Sequence, residues 1–197
     1  MKTDLIIRAA LLVPFLLVML QHHQSASAQS ENLIRSLRNS AKPGENHALL
    51  DPFCGRWKIR IEYRLRPDTN PETAQGGAEF RWIMGKRFLE QVVDGKGIAG
   101  EFEGRGLIGF DNVLNQYTGV WIDSMNSGMT RSTGRRESDG KTFLFKATGT
   151  DVIEAKEKTS DTILRIITND ELQYLVYQPH PKTGDAVLML KISYQRV

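Results

Sequence analysis

Gly55-Arg56-Trp57-Lys58-Ile59-Arg60-Ile61-Glu62-Tyr63 decides the fold. In an extended chain, Trp57, Ile59, Ile61 and Tyr63 fall on one face, and Lys58, Arg60, Glu62 and Arg64 on the other. Alternation with period two marks an antiparallel strand with one wet face and one buried face. The question is what the rest of the chain builds around it.

Downstream, similar stretches follow at short intervals. Ala78 to Ile83 places Phe80 and Trp82 together, Glu101 to Phe110 places Phe102, Ile108 and Phe110 together, and Gln116 to Asp123 places Tyr117 and Trp121 together. Turn chemistry separates them: Gly85-Lys86, Asp94-Gly95, Asp111-Asn112, Asn126-Ser127-Gly128, Asp139-Gly140, Ser160-Asp161 and Asn169-Asp170. Val152 to Lys158 reads as a charged, edge-like strand. Leu172 to Gln178 and Ala186 to Arg196 read as a final pair joined by a loop containing His180. The pattern predicts about nine to eleven antiparallel strands in an up-and-down meander. An open meander of that length exposes two edges, and closure removes them. The expected fold is therefore all-β, a closed barrel with a short N-terminal helical segment. A barrel of this strand number has room for one small ligand.

The chain before Trp57 divides in two. Residues 1–28 have the form of a secretory signal: Lys2 and Arg8, an apolar run from Leu5 to Leu20, and the small-residue site Ala26-Ser27-Ala28. The expectation is cleavage near Ala28 and a periplasmic or extracellular protein, with the membrane met only through the transient signal. Residues 29–46 are a polar lead-in, in which Leu33, Ile34 and Leu37 have helical spacing. Residues 47–197 are the barrel domain. His47 to Leu50 is one apolar helical turn before Pro52, placed to plug the end of a barrel.

Composition narrows the function. The formal net charge is +3, and no block of Lys and Arg is long enough to track phosphates, so nucleic acid is not an expected partner. Cys54 is the only cysteine, which excludes an intrachain disulfide. Two glycine runs, Gly95-x-Gly97-x-x-Gly100 and Gly104-x-Gly106-x-x-Gly109, fit a dinucleotide fingerprint. They lack the strand-to-helix handover that makes the fingerprint work. They read instead as glycines in coiled strands or turns.

His47 and His180 are the histidines beyond the signal, too few and too scattered for a zinc site. A haem site would draw on His180 or Tyr177. The reading assigns no metal, no cofactor and no catalytic residue. Asp123 shares a face with Tyr117 and Trp121, and pairing about Ser127 sets Arg131 beside it. An inward charge needs a partner, so Asp123 and Arg131 are expected as an ion pair or as the polar end of a site. With Tyr63, Trp82, Phe102 and Trp121 they form the expected ligand-binding set.

Gly55-x-Trp57 resembles the Gly-x-Trp signature of lipocalin-like (calycin) barrels, in which an arginine of the last strand covers the tryptophan. Arg196 matches that position. The ordered set His47-x-x-Leu50, Gly55-x-Trp57, Gly85-x-Arg87-Phe88-Leu89, Phe102-Glu103-Gly104, Gly109-Phe110-Asp111, Trp121-Ile122-Asp123-Ser124 and Tyr194-Gln195-Arg196 is similar to the bacterial domain of unknown function 1579. The resemblance implies a lipocalin-like barrel, commonly exported, with Trp57 and Arg196 closing it. It implies no activity. The functional expectation is a module that binds a small apolar or amphipathic ligand. An interaction protein of the cell envelope is the alternative, and an enzyme using an Asp/Arg/Tyr pocket is a third. Oligomeric state is left open.

Overall fold

The computed structural model describes residues 29–97 and 100–197. The expected signal segment, residues 1–28, lies outside the described residues. Helix α1 spans 29–40 and belongs to a unit ending at Lys42, while Pro43–Val197 form a separate compact unit. Leu33, Ile34 and Leu37 of α1 are exposed.

The second unit opens with a short helix, α2 (Glu45–Ala48), and a 3-10 turn (Asp51–Phe53). Ten strands follow: β1 (Gly55–Tyr63), β2 (Glu72–Ile83), β3 (Phe88–Gly97), β4 (Gly100–Asp111), β5 (Gln116–Asp123), β6 (Thr130–Arg136), β7 (Thr142–Asp151), β8 (Lys156–Thr168), β9 (Glu171–Pro179) and β10 (Ala186–Arg196). Each pairs antiparallel with its neighbours in sequence, and β10 returns to β1 to close the barrel. The closing register sets Trp57 opposite Arg196 and Ile61 opposite Ile192.

Hairpin geometry follows from local hydrogen bonding. In the β4–β5 turn, Asp111 Oδ1 accepts the N–H groups of Val113 and Leu114, and Asn115 takes a φ of +52°. The β7–β8 turn repeats this with Asp151, Ile153, Glu154 and Ala155 at +51°. A short carboxylate accepting from the two residues ahead mimics a backbone turn. This corrects the expected strand over Val152 to Lys158: its first residues are the turn, and β8 begins at Lys156. Ser160 and Asp161 are not a turn either. They continue β8, Ser160 accepting from Gln178 of β9 and Asp161 pairing with Lys146 of β7. Nor does the chain turn at Asp94-Gly95, which β3 passes through.

The two ends of the barrel differ. The end nearest α2 is dry: Leu50, Phe53, Trp57, Leu89, Tyr117 and Phe143 have almost no accessible surface. The opposite end, where Tyr63, Gly97, Asp123, Asp151 and Pro179 finish their strands, forms the mouth.

Candidate functional site

The closed end is a plug built by local sequence. Pro52 starts the 3-10 turn, which delivers Phe53 under the barrel rim. There Phe53 meets Phe143 edge-on, with ring centroids 5.5 Å apart. The Trp57 indole N–H donates to Phe53 O at 2.9 Å. Arg196 lies over the Trp57 ring, its Cζ 4.0 Å from the centroid, and donates to Cys54 O, Pro52 O and Asn169 O. A planar guanidinium suits that combination of stacking and several donors. Gly55 is required here: its φ is +124°, and a Cβ would sit 2.6 Å from Arg196 Nη1.

Trp82, expected in the ligand-binding set, also belongs to the closed end. Its indole N–H donates to Asp51 at 2.6 Å, so it braces the plug. Under α2, Tyr117 donates to Asn46 O, and the rings of His47, Phe110 and Tyr117 stack in series. Burial, with the Arg87 charge, holds the His47 imidazole below its usual range, and its Nδ1 accepts the Gly44 N–H. Burial pushes the Cys54 thiol up, with Asp51 adding to the effect, so it stays protonated.

Above the plug the mostly apolar wall carries a few uncharged polar groups. Gln91 donates to the Tyr194 hydroxyl at 3.1 Å, and Thr162 lies diagonally across from Tyr174 on the same face. Burial raises both phenols above their ordinary value. Tyr174 lies opposite Ile192 and Leu164, on the inner face. It is deep enough to be strongly desolvated, yet it is only partly covered. The same partial exposure is found at Gln91, Ile108, Gly119, Ser132 and Ile192, all facing inward. These are the inner-face positions at which neighbouring atoms leave surface uncovered.

Three glycines shape the inner wall nearer the mouth. Gly95 lies opposite Phe102, and Gly106 opposite Trp121. A Cβ on Gly95 would be 2.5 Å from the Phe102 ring, and one on Gly104 would run into Trp121 Cζ2. The rings therefore lie flat along the wall over bare backbone. The Trp121 indole N–H donates to Asp123 Oδ2 at 2.7 Å, which fixes the ring, while Asp123 Oδ1 accepts from Met125 N. Gly95, Gly104, Gly106 and Gly109 are strand wall under aromatic rings, Gly97 and Gly100 stand at the end of β3 and the start of β4, and among the described residues no helix follows either run. On the mouth ends of β2, β3 and β4 a depression of about 600 Å³ is lined mainly by outward-facing residues, among them Gln75, Asp94, Lys96, Glu101 and Glu103, over Gly95 and Phe102. Lys158 faces inward on the other side, held by Asp151 and Glu154 at 3.1 Å each. Tyr63 ends β1 at this same end, its hydroxyl beside Gly97.

Of the expected set, Tyr63, Phe102, Trp121 and Asp123 share the mouth half. Arg131 does not join them. The β5–β6 register pairs Val120 with Arg131 and Trp121 with Thr130, which turns Arg131 to the outer surface. There it meets Glu157 at 3.5 Å. Asp123 is partnered by an indole and a backbone N–H, and the expected Asp123–Arg131 pair is not formed. His180 also has no ring nitrogen to spare. Nε2 is 2.7 Å from Asp68, and Nδ1 accepts from Lys182 and Thr183. Tyr177 pairs across the sheet with Asp161 and Leu188 on the outer face. Among the described residues no cluster of three His, Cys, Asp or Glu is placed to hold a metal. The sequence reading missed Gln91, Thr162, Tyr174 and Tyr194. Strand parity, applied to β3, β8, β9 and β10, was the signal that would have found them.

Fold and site together define a ten-stranded antiparallel barrel, plugged at one end by its own N-terminal turns and open at the other. The chain belongs to the family described as protein of unknown function (DUF1579), whose model matches residues 42–196. No curated protein matches it. Among solved structures it is similar to one titled "De novo design of a fluorescence-activating beta barrel", with 14% identity and a TM-score of 0.42 over 75% of this chain and 95% of that one. It is also similar to a redesigned beta barrel, with 11% identity and a TM-score of 0.41 over 76% and 95%.

Proposed function

We propose that this protein is an exported barrel that holds one small apolar or amphipathic molecule in its lumen. The observation that carries the reading is the partial exposure of Tyr174, an inward side chain deep in the barrel with surface left uncovered. The plug seals one end, so a ligand enters and leaves by the mouth. Trp121 and Phe102 lie flat on glycine, which supplies apolar wall without obstructing the entrance. Such a site, mostly apolar with a few placed polar groups, is the usual character of small-molecule pockets. Support for export comes from the N-terminal segment: the positive start, the apolar run and Ala26-Ser27-Ala28.

Native mass spectrometry tests both parts on the full chain, expressed in a bacterium and purified from the envelope fraction without denaturant. The expected result is a polypeptide beginning at Gln29 that releases one small molecule on denaturation. An empty barrel that also takes up no added apolar probe would sink the ligand reading, and a full-length cytoplasmic chain would sink export.

A further inference from the structure

Resting on that reading of the lumen, we infer that the ligand is electrically neutral and presents a carbonyl or hydroxyl oxygen to the wall formed by Tyr174 and Tyr194. Among the described residues, the charged side chains on the inner face lie at the two rims: Glu72, Asp123, Asp151, Lys156 and Lys158 at the mouth, and Arg196 and Arg136, whose Nε is buried without a partner, at the plug. At the mouth Asp123 is engaged by Trp121, Lys158 by Asp151 and Glu154, and Lys156 by Glu154. Between the rims the polar inner residues include Gln91, Ser132, Ser160, Thr162, Tyr174, Gln178 and Tyr194, all neutral. An ion carried to that depth would lose its hydration with no counter-charge to meet it.

The hydroxyls also set which polar group fits. The Tyr194 oxygen already accepts from Gln91, and the Tyr174 phenol shares the inner face with Thr162. Each phenol has one hydrogen to donate, and for Tyr194 no acceptor of that hydrogen is found among the described residues. Both phenols hold their hydrogens across the ordinary pH range. The wall therefore offers donors, and it matches a ketone, ester or alcohol oxygen at the end of an apolar body.

The test is an NMR titration of the protein, stripped of any co-purified molecule, with four probes at neutral pH: 2-octanone, octanoate, octylammonium and toluene. The inference expects 2-octanone to perturb lumen resonances and to bind at least about tenfold more tightly than either ion. Tyr174→Phe keeps the ring. It is expected to weaken 2-octanone about fivefold, the worth of one neutral hydrogen bond, while toluene binding stays unchanged. An ion binding as tightly as 2-octanone would overturn neutrality and leave the lumen reading standing. Equal weakening of toluene and 2-octanone by Tyr174→Phe would overturn the donor role. Silence of lumen resonances with all four probes would overturn the inference and the lumen reading together.

Discussion

The plug and the mouth are built from the same residue types and reach opposite results. Both contain tryptophan, phenylalanine and glycine. At the plug, Trp57, Phe53 and Phe143 point at one another across the axis, and their contacts exclude water. At the mouth, Trp121 and Phe102 point along the wall, because the positions opposite or beside them have no Cβ. What separates a filled end from an open one is the placement of glycine relative to rings. Glycine beneath a ring lets it lie flat, and a larger residue there would lift it toward the axis.

The comparison breaks most sharply at Trp57. Trp57→Ala removes the ring that both Arg196 and Phe53 hold, and is expected to cost about 3–5 kcal/mol in denaturant unfolding. An unchanged midpoint would mean the plug is not the stabilising end. Next is Gly104→Ala. Its methyl group needs the space of the Trp121 ring, so the ring must tilt into the lumen. The expected cost is about 1–3 kcal/mol, with a shifted Trp121 emission and lost occupancy by the lumen ligand. Retained emission and occupancy would show that the flat ring is not what keeps the mouth open. Smallest is Arg131→Ala. An exposed ion pair on the outer face is worth less than about 0.5 kcal/mol, and ligand occupancy should not change. A loss of occupancy would return Arg131 to the site.

Much of this was legible in residue order. The alternation in β1 and the repeated turn signals define the closed meander, because burial of one face leaves period two no alternative. The apolar turn before Pro52 was legible as a plug for the same reason, an apolar cluster with no strand to join. Arg131 was not legible. Its face depends on the register of β5 against β6, and one residue of slip across the 124–129 connection reverses it. Nor could sequence say whether glycines opposite rings receive them or leave space. Here they receive them, and the partial exposure lies deeper, beside Tyr174 and Gln91. The turn at Asp151 was read as strand because its backbone donors are satisfied by a side chain, which composition does not reveal.

The bond from Arg196 to Cys54 joins residues 142 positions apart. Its consequence is kinetic. β2 through β9 each find a partner next to them in sequence, but β1 and β10 must meet across the whole domain. Non-local closure of this kind is the slow part of folding. Until it happens, β1 and β10 each keep one bare edge, and Trp57 lacks its guanidinium cover. The lumen has no continuous wall before that moment. Capture of a ligand by the proposed lumen would therefore belong to the last folding step, and a bound molecule that touches both β1 and β10 would slow the reopening of that seam.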